Sequence, residues 1–314
     1  MDTVRTLLVD AFADRPLAGN AAGVVPDADG LTDDQMQSIA RELSVSETAF
    51  LLSSDRADRR VRYFTPTREV DLCGHATVGS HYFLFDDGVV EAGTHSLETN
   101  VGVLDVEVTD EGFVWMTQDA PTVERVDLDY DRVADALGVE PTSLTGLSDD
   151  LPLAVASTGL PFLIVPAEYL GDLSDADPDV RAVEALSETV GATGVYLFTF
   201  DALERESTLH GRMFAPAAGV PEDPVTGTAS GAVGAYLRQF GAFETGQDPL
   251  GSAPDETSEG FPDELRLEQG HFVDRPGEVR VRVGETVRVG GAGVVALDGH
   301  LAVPPAEDED ILEA

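Results

Sequence analysis

The side chains best suited to chemistry in this 314-residue chain gather around two glycines, Gly74 and Gly227. His75 follows Gly74 directly, and Asp223 lies four residues before Gly227 in Glu222-Asp223-Pro224-Val225-Thr226-Gly227. The first turn of a helix has backbone N–H groups without intrahelical partners and carries the positive end of the helix dipole. A glycine there lets an anion approach the backbone closely, so two such starts could hold a small carboxylate. A histidine in a first turn suits hydrogen bonding or proton relay near neutral pH. Glu47, in Ser46-Glu47-Thr48-Ala49-Phe50, stands at the mouth of an otherwise apolar run, where a carboxyl can serve as general acid and base. Each has a plainer reading: ordinary helix caps, a structural histidine, and a surface glutamate in a chain with 59 acidic residues.

These residues must be positioned by elements that occur twice. Arg62-x-Phe64-x-Pro66 returns as Arg212-x-Phe214-x-Pro216, an offset of 150 positions. The segment from Cys73 to Leu84 returns as Thr226 to Leu237, an offset of 153, with Gly74 matching Gly227 and Ala76 matching Ala229. The flanks follow the same order. A strand over 3–12 and a helix over 33–44 precede strands near 48–53 and 60–66 in the first half. A strand over 161–166 and a helix near 178–190 precede strands near 194–200 and 207–215 in the second. Both halves close in alternating strands, over 95–118 and 263–297. Thr32 and Gln35 form a capping box for the first helix, and Met36, Ile39, Ala40 and Leu43 make its apolar stripe. The repeated glycine-headed segments are apolar or small on nearly every face, which marks helices enclosed on all sides. The pattern predicts an α+β fold of two pseudo-symmetric domains, each a curved, barrel-like sheet wrapped around a central helix. The first covers 1–117, with a strand near 298–304 returning to it, and the second covers 118–297. The two helix starts are expected to face one cleft. The acidic stretch 244–263 reads as a surface excursion and the tail from Pro304 as frayed.

Composition narrows the chemistry. The 19 basic residues are all arginine, so Schiff-base and phosphate-loop lysine chemistry is excluded. A net charge of −40 opposes binding to nucleic acid or to anionic membrane surfaces. With 42% hydrophobic residues the chain is not a disordered polyanion. The acidity fits a host with high internal salt, since at 1 M the Debye length is only about 3 Å. Cys73 stands alone, and none of the six histidines shows metal-ligand spacing, so no metal centre is expected. Nothing at the start resembles a leader, and no run reaches the roughly 20 apolar residues of a membrane helix, so a cytoplasmic location is expected.

Four motifs in order resemble the PhzF-like family of phenazine-biosynthesis isomerase relatives. They are Asp10-Ala11-Phe12…Arg15-Pro16-Leu17-Ala18-Gly19-Asn20, Ser46-Glu47-Thr48-Ala49-Phe50, Arg62-x-Phe64-x-Pro66…Cys73-Gly74-His75-Ala76-Thr77, and Phe214-x-Pro216…Glu222-Asp223-Pro224-Val225-Thr226-Gly227. The resemblance implies the diaminopimelate-epimerase-like fold and a homodimer without cofactors. It implies that Glu47 moves a proton between substrate carbons, with His75 and Asp223 as polar partners. It also implies that Gly74 and Gly227 cradle a carboxylate, and that Asn20, Ser46 and Thr228 belong to the substrate-binding set. Thr228 stands where the family usually has serine. Related epimerases use two cysteines, one at each helix start. Here Cys73 fills the first place and Thr226 the second, which disfavours racemisation by two thiols. The expected activity is a cofactor-independent isomerase acting on a small carboxylate. A non-catalytic anion- or protein-binding module and a two-base epimerase through Glu47 and Asp223 remain the rivals.

Overall fold

The capping box forms as its residues dictate. In the computed structural model, which describes residues 2–243, 260–303 and 305, the Gln35 N–H donates to Thr32 Oγ1 at 3.3 Å. The Thr32 N–H donates to Gln35 Oε1 at 2.9 Å. Helix α1 (Asp33–Leu43) follows and turns Met36, Ile39 and Ala40 inward. They join Val4, Val25, Phe50 and Phe64 in an apolar cluster. The chain divides into two compact units, Met1–Trp115 with Ala292–Ala314, and Met116–Gly291.

The first unit contains β1 (Thr3–Ala11), β2 (Asn20–Val25), α1, β3 (Glu47–Leu52), β4 (Arg59–Phe64), β5 (Glu69–Val70), α2 (Gly74–Asp86), β6 (Gly93–Thr99) and β7 (Gly102–Val108). After β8 (Val114–Thr117), the second unit runs through β9 (Thr122–Arg125), α3 (Tyr130–Leu137), α4 (Pro141–Thr145), β10 (Ala154–Ser157), β11 (Pro161–Pro166) and α5 (Leu170–Asp175). It continues through α6 (Val180–Val190), β12 (Gly194–Thr199), β13 (Leu209–Ala215), β14 (Val220–Asp223), α7 (Gly227–Gln239), β15 (Leu265–Gln269), β16 (Gly277–Val283) and β17 (Val287–Gly291). The last strand, β18 (Gly293–Ala302), pairs with β1 in the first unit.

Pairing shows the duplication more fully than the sequence does. In the first unit β1 and β2 are antiparallel, β2 and β3 parallel, β3 and β4 antiparallel, β4 and β6 parallel, and β6 and β7 antiparallel, with β5 folded back on β4. In the second, β10 to β13, β15 and β16 repeat the same sequence of senses, with β14 folded back on β13. Each parallel pair requires a crossover. α1 and α6 supply the first in their units, α2 and α7 the second.

The glycine-headed helices are the enclosed ones. α2 packs against β1, β2, β3, β7 and β18, and α7 against β9, β10, β11, β16 and β17. Val78, Phe83 and Leu84 of α2 are buried, as is all of α7 from Ala229 to Leu237. Burying each large side chain contributes about 1.5–3 kcal/mol. Small residues set how near the strands can come. A methyl at Gly234 would lie 2.7 Å from Val281 Cγ1 and 2.9 Å from Val283 Cγ2. Each unit is thus an α+β layer in which a curved sheet surrounds one helix. α3 to α5 and α6 cover the other face of the second sheet, closing a cluster that includes Leu137, Leu144, Leu163, Val165, Leu173, Leu186 and Leu197. Residues 244–259 of the acidic stretch, and all of the tail except Pro305, lie outside the described residues.

Candidate active site

Glu47 opens β3 and His75 is the second residue of α2, so the two sit where a strand and the enclosed helix both begin. Glu47 Oε2 lies 3.5 Å from His75 Nε2, with side chains 22% and 11% exposed. Ser46 Oγ is 3.2 Å from the same nitrogen. Cys73 Sγ is 3.4 Å from Nδ1 and 3.9 Å from Nε2 of the same ring. A carboxylate, a hydroxyl, an imidazole and a thiol are therefore grouped in a part-buried, solvent-reachable place. Such a group can accept a proton on one atom and pass it along hydrogen-bond distances.

The helix start beneath this cluster is held from behind. Thr77 Oγ1 donates to the Cys73 carbonyl at 2.7 Å, and the Tyr63 hydroxyl is 2.5 Å from Thr77 Oγ1. Thr77 has spent its proton on the carbonyl, so Tyr63 is the donor in that pair. Burial pushes the Tyr63 phenol up, which keeps it a donor across the working pH range. Cys73 makes no side-chain cap to α2, whereas Thr32, Asp129 and Asp179 cap α1, α3 and α6.

Asn20 opens β2, two residues before Ala22, which is the register partner of Glu47. It is buried. The turn that delivers it is tight: Phe12, Leu17 and Gly19 all have φ near +60°, at 61°, 64° and 57°. A methyl at Gly19 would stand 2.2 Å from the Ala11 carbonyl oxygen, so only glycine fits. Buried Asp10 accepts a hydrogen bond from the Leu17 N–H at 2.7 Å and fixes the turn. The motif from Asp10 to Asn20 is thereby explained as a device for presenting residue 20.

The second unit repeats the helix start with different chemistry. Thr226 is the N-cap of α7 and makes no side-chain cap. Its hydroxyl instead donates to Asp223 Oδ2 in a short hydrogen bond. Ser230 Oγ donates to the Thr226 carbonyl at 2.8 Å, as Thr77 does to Cys73. Gly227 is buried, and Asp223 and Thr228 are half-buried. Thr228 offers its carbonyl to Thr158 Oγ1 at 3.2 Å. Gln269, which sequence reasoning missed, clamps this segment: its Nε2 donates to the Asp223 carbonyl at 2.7 Å, and its Oε1 accepts from the Thr226 N–H at 3.3 Å. No sequence signal marks it, because it reaches the segment only through the parallel pairing of β15 with β13.

Ser46, Glu47, Gly74 and His75 are thus brought together in the first unit, and Asp223, Gly227 and Thr228 are neighbours in the second. Ligand atoms of Glu47, Cys73 and His75 all lie within 4.8 Å of one another. Spacing along a chain reveals only local ligand pairs, and here the third donor arrives on β3. Among the described residues, no helix is long and apolar enough to cross a membrane.

Known proteins resemble this chain along most of its length. An uncharacterized isomerase, YfhB, of Bacillus subtilis is 36% identical over 290 residues, covering 91% of this chain and 92% of its own. A trans-2,3-dihydro-3-hydroxyanthranilate isomerase of Pseudomonas chlororaphis is 32% identical over 251 residues, covering 77% of this chain and 82% of its own. The crystal structure of a Bacillus anthracis phenazine biosynthesis protein of the PhzF family superposes with a TM-score of 0.84 at 34% identity, over 96% of this chain and all (100%) of that one. Residues 9–299 match the family described as Phenazine biosynthesis-like protein, PhzC-PhzF. With duplicated sheets around glycine-headed helices and that match over nearly its whole length, the chain belongs to the PhzC-PhzF family of phenazine biosynthesis-like isomerases.

Proposed function

We propose that this isomerase moves a proton between two carbons of a small carboxylate by general acid–base catalysis, with no cofactor. Glu47 takes the proton from one carbon and returns it to another, shifting a double bond. His75 and Ser46 hold the reacting part of the substrate and stabilise the charge that develops on it. Gly74 and Asn20 take part in holding the substrate, as do Asp223, Gly227 and Thr228. Backbone N–H groups at an uncapped helix start favour a bound anion.

The observation that carries this reading is the meeting of Glu47 Oε2 and His75 Nε2 at 3.5 Å, in a place solvent still reaches. A surface glutamate without function has no reason to share one imidazole nitrogen with a neighbouring serine. The Pseudomonas relative's name supplies the first compound to try, trans-2,3-dihydro-3-hydroxyanthranilate.

The test is proton exchange. The protein is incubated in D2O at high salt with that compound and with other small unsaturated or cyclic carboxylates, and NMR follows deuterium entering at carbon. Glu47→Gln keeps the side-chain shape and removes the proton carrier, so exchange and turnover should fall about 10²- to 10⁴-fold while the thermal midpoint holds. Wild-type exchange by that variant would remove Glu47 from the mechanism. Inversion at a single carbon, without double-bond migration, would replace the reading with an epimerase.

A further inference from the structure

The cluster at the start of α2 contains a donor set that proton transfer alone does not require. Cys73 is buried at 8% exposure, yet its sulfur faces the imidazole used by Glu47 and Ser46. His75 Nε2 lies 3.5 Å from Glu47 Oε2 and 3.9 Å from Cys73 Sγ. All three donors fall within 4.8 Å of one another. In tetrahedral zinc, bonds of about 2.3 Å to sulfur and about 2.0–2.1 Å to nitrogen or oxygen place neighbouring donors about 3.3–3.6 Å apart. The His75–Glu47 pair already has that spacing, and rotation of the Cys73 and His75 side chains must bring the sulfur to it.

We propose that Cys73, His75 and Glu47 form a binding site for one borderline-soft divalent cation, with Zn2+ as the type, and that occupation of this site switches the enzyme off. The donor chemistry selects the ion. Thiolate with imidazole suits zinc, whereas magnesium and calcium prefer oxygen ligands throughout. Binding requires no redox step: the Cys73 S–H bond breaks, its proton leaves to solvent, and a sulfur–metal bond forms. Three protein ligands leave a fourth position for water, open on the side where Glu47 is exposed. Ser46 Oγ gives up its contact with Nε2 and can bond to that water.

The duplication provides an internal contrast. At the corresponding positions of the second unit, 153 residues on, Thr226 replaces Cys73 and Thr228 replaces His75. Two hydroxyls make no zinc site, so the described residues offer one equivalent per chain. The inhibitory part of the proposal rests on the acid–base reading above, because the metal would occupy the proton carrier. The binding part does not.

The test therefore reads binding directly, on the full chain stripped of metal with a chelator. Zn2+ is titrated by calorimetry and Co2+ by absorption. One equivalent of each should bind, and cobalt should develop a thiolate charge-transfer band. Cys73→Ser should abolish that band and weaken Zn2+ by at least about 10- to 100-fold, the loss caused even by removing a metal site's outer partners. Glu47→Gln and His75→Gln should weaken Zn2+ as well. Serine is a favoured N-cap residue, so the Cys73→Ser helix should still form, and an unchanged metal-free melting midpoint verifies this. Cobalt bound without the thiolate band, or equal zinc affinity in Cys73→Ser, overturns the site. Turnover in the wild type should be lost at one equivalent of Zn2+. Tight binding with undiminished turnover would overturn the switch, and binding without carbon-bound exchange in any metal-free protein would count against the acid–base reading alone.

Discussion

Two histidines six positions apart on α2 show how placement decides a residue's task. His75 lies at the helix start beside Glu47 and Ser46, while His81 is fully enclosed with Nδ1 2.9 Å from the Thr77 carbonyl. Burial holds the His81 imidazole down to about 4. In the unfolded chain the same ring titrates near its ordinary 6.5. Between those values the unfolded chain binds the proton and the folded one does not, so stability falls as pH falls through that window. The loss reaches roughly 3 kcal/mol by pH 4 and about 2 kcal/mol at pH 5. Urea unfolding at fixed molar KCl should therefore show a smaller drop from pH 7 to pH 5 in His81→Leu than in the wild type. Equal slopes would mean that His81 is protonated in the fold at no cost. The sequence located Glu47 and His75 because glycine and an apolar run mark the element boundaries where they sit. The contact of Ser46 with His75 was not legible, because it depends on how β3 meets α2. Gln269 was hidden for a similar reason: only the parallel pairing of β13 and β15 brings it to Asp223 and Thr226.

At the level of elements, the two halves keep a structural device as well as a topology. Arg62 on β4 makes a two-pronged hydrogen bond to Glu69 on β5, at 2.8 and 2.7 Å, and lies 5.1 Å from the Phe64 ring centre. Arg212 on β13 does the same with Glu222 on β14, at 2.9 and 2.8 Å, and lies 5.0 Å from the Phe214 ring. This explains why Arg-x-Phe recurs: the arginine pins the short return strand that leads into the glycine-headed helix. The twins differ in burial. Arg212 is 7% exposed and also donates to the Leu173 and Ala176 carbonyls, while Arg62 has a second acid, Asp33, at 2.6 Å. Breaking a buried ion pair strands a charge, whereas an exposed partner is worth little. Glu222→Gln should therefore lower stability by about 3 kcal/mol, and Glu69→Gln by about 1 kcal/mol or less, measured by denaturant unfolding. The reverse order would show that the second hairpin is not held by its arginine. The repeat was readable at this scale because its anchors, Arg, Phe, Pro and Gly, are residues that strands and helix starts demand. Helices α3, α4 and α5 have no counterpart in the first half, so the offset that revealed the other elements could not reveal them. β18 pairs with β1 across 282 to 299 positions of sequence, and no local pattern encodes the register of that pairing.

For the molecule as a whole, charge is the dominant fact not used by the site. A balance of 19 arginines against 59 acids leaves −40 to be held in one folded chain. Several arginines are already shared, as Arg5 is between Asp87 and Asp298 at 3.0 and 2.7 Å. Such pairs relieve crowding locally but cannot balance the total, and net self-repulsion opposes the compact state. Salt weakens that repulsion over distances beyond the Debye length, about 10 Å at 0.1 M and about 3 Å at 1 M. The thermal midpoint should thus rise steeply between 0.1 and 1 M KCl, by well over the few degrees expected from one or two kcal/mol. The shape of the curve separates causes. Screening of this kind saturates once the Debye length falls below the spacing of surface charges, whereas strengthened apolar burial by excluded salts such as sulfate continues to grow with concentration. A KCl curve that climbs and then flattens near 1 M assigns the effect to the acidic surface. A midpoint that does not move between 0.1 and 1 M would show that the fold carries its charge without help from salt.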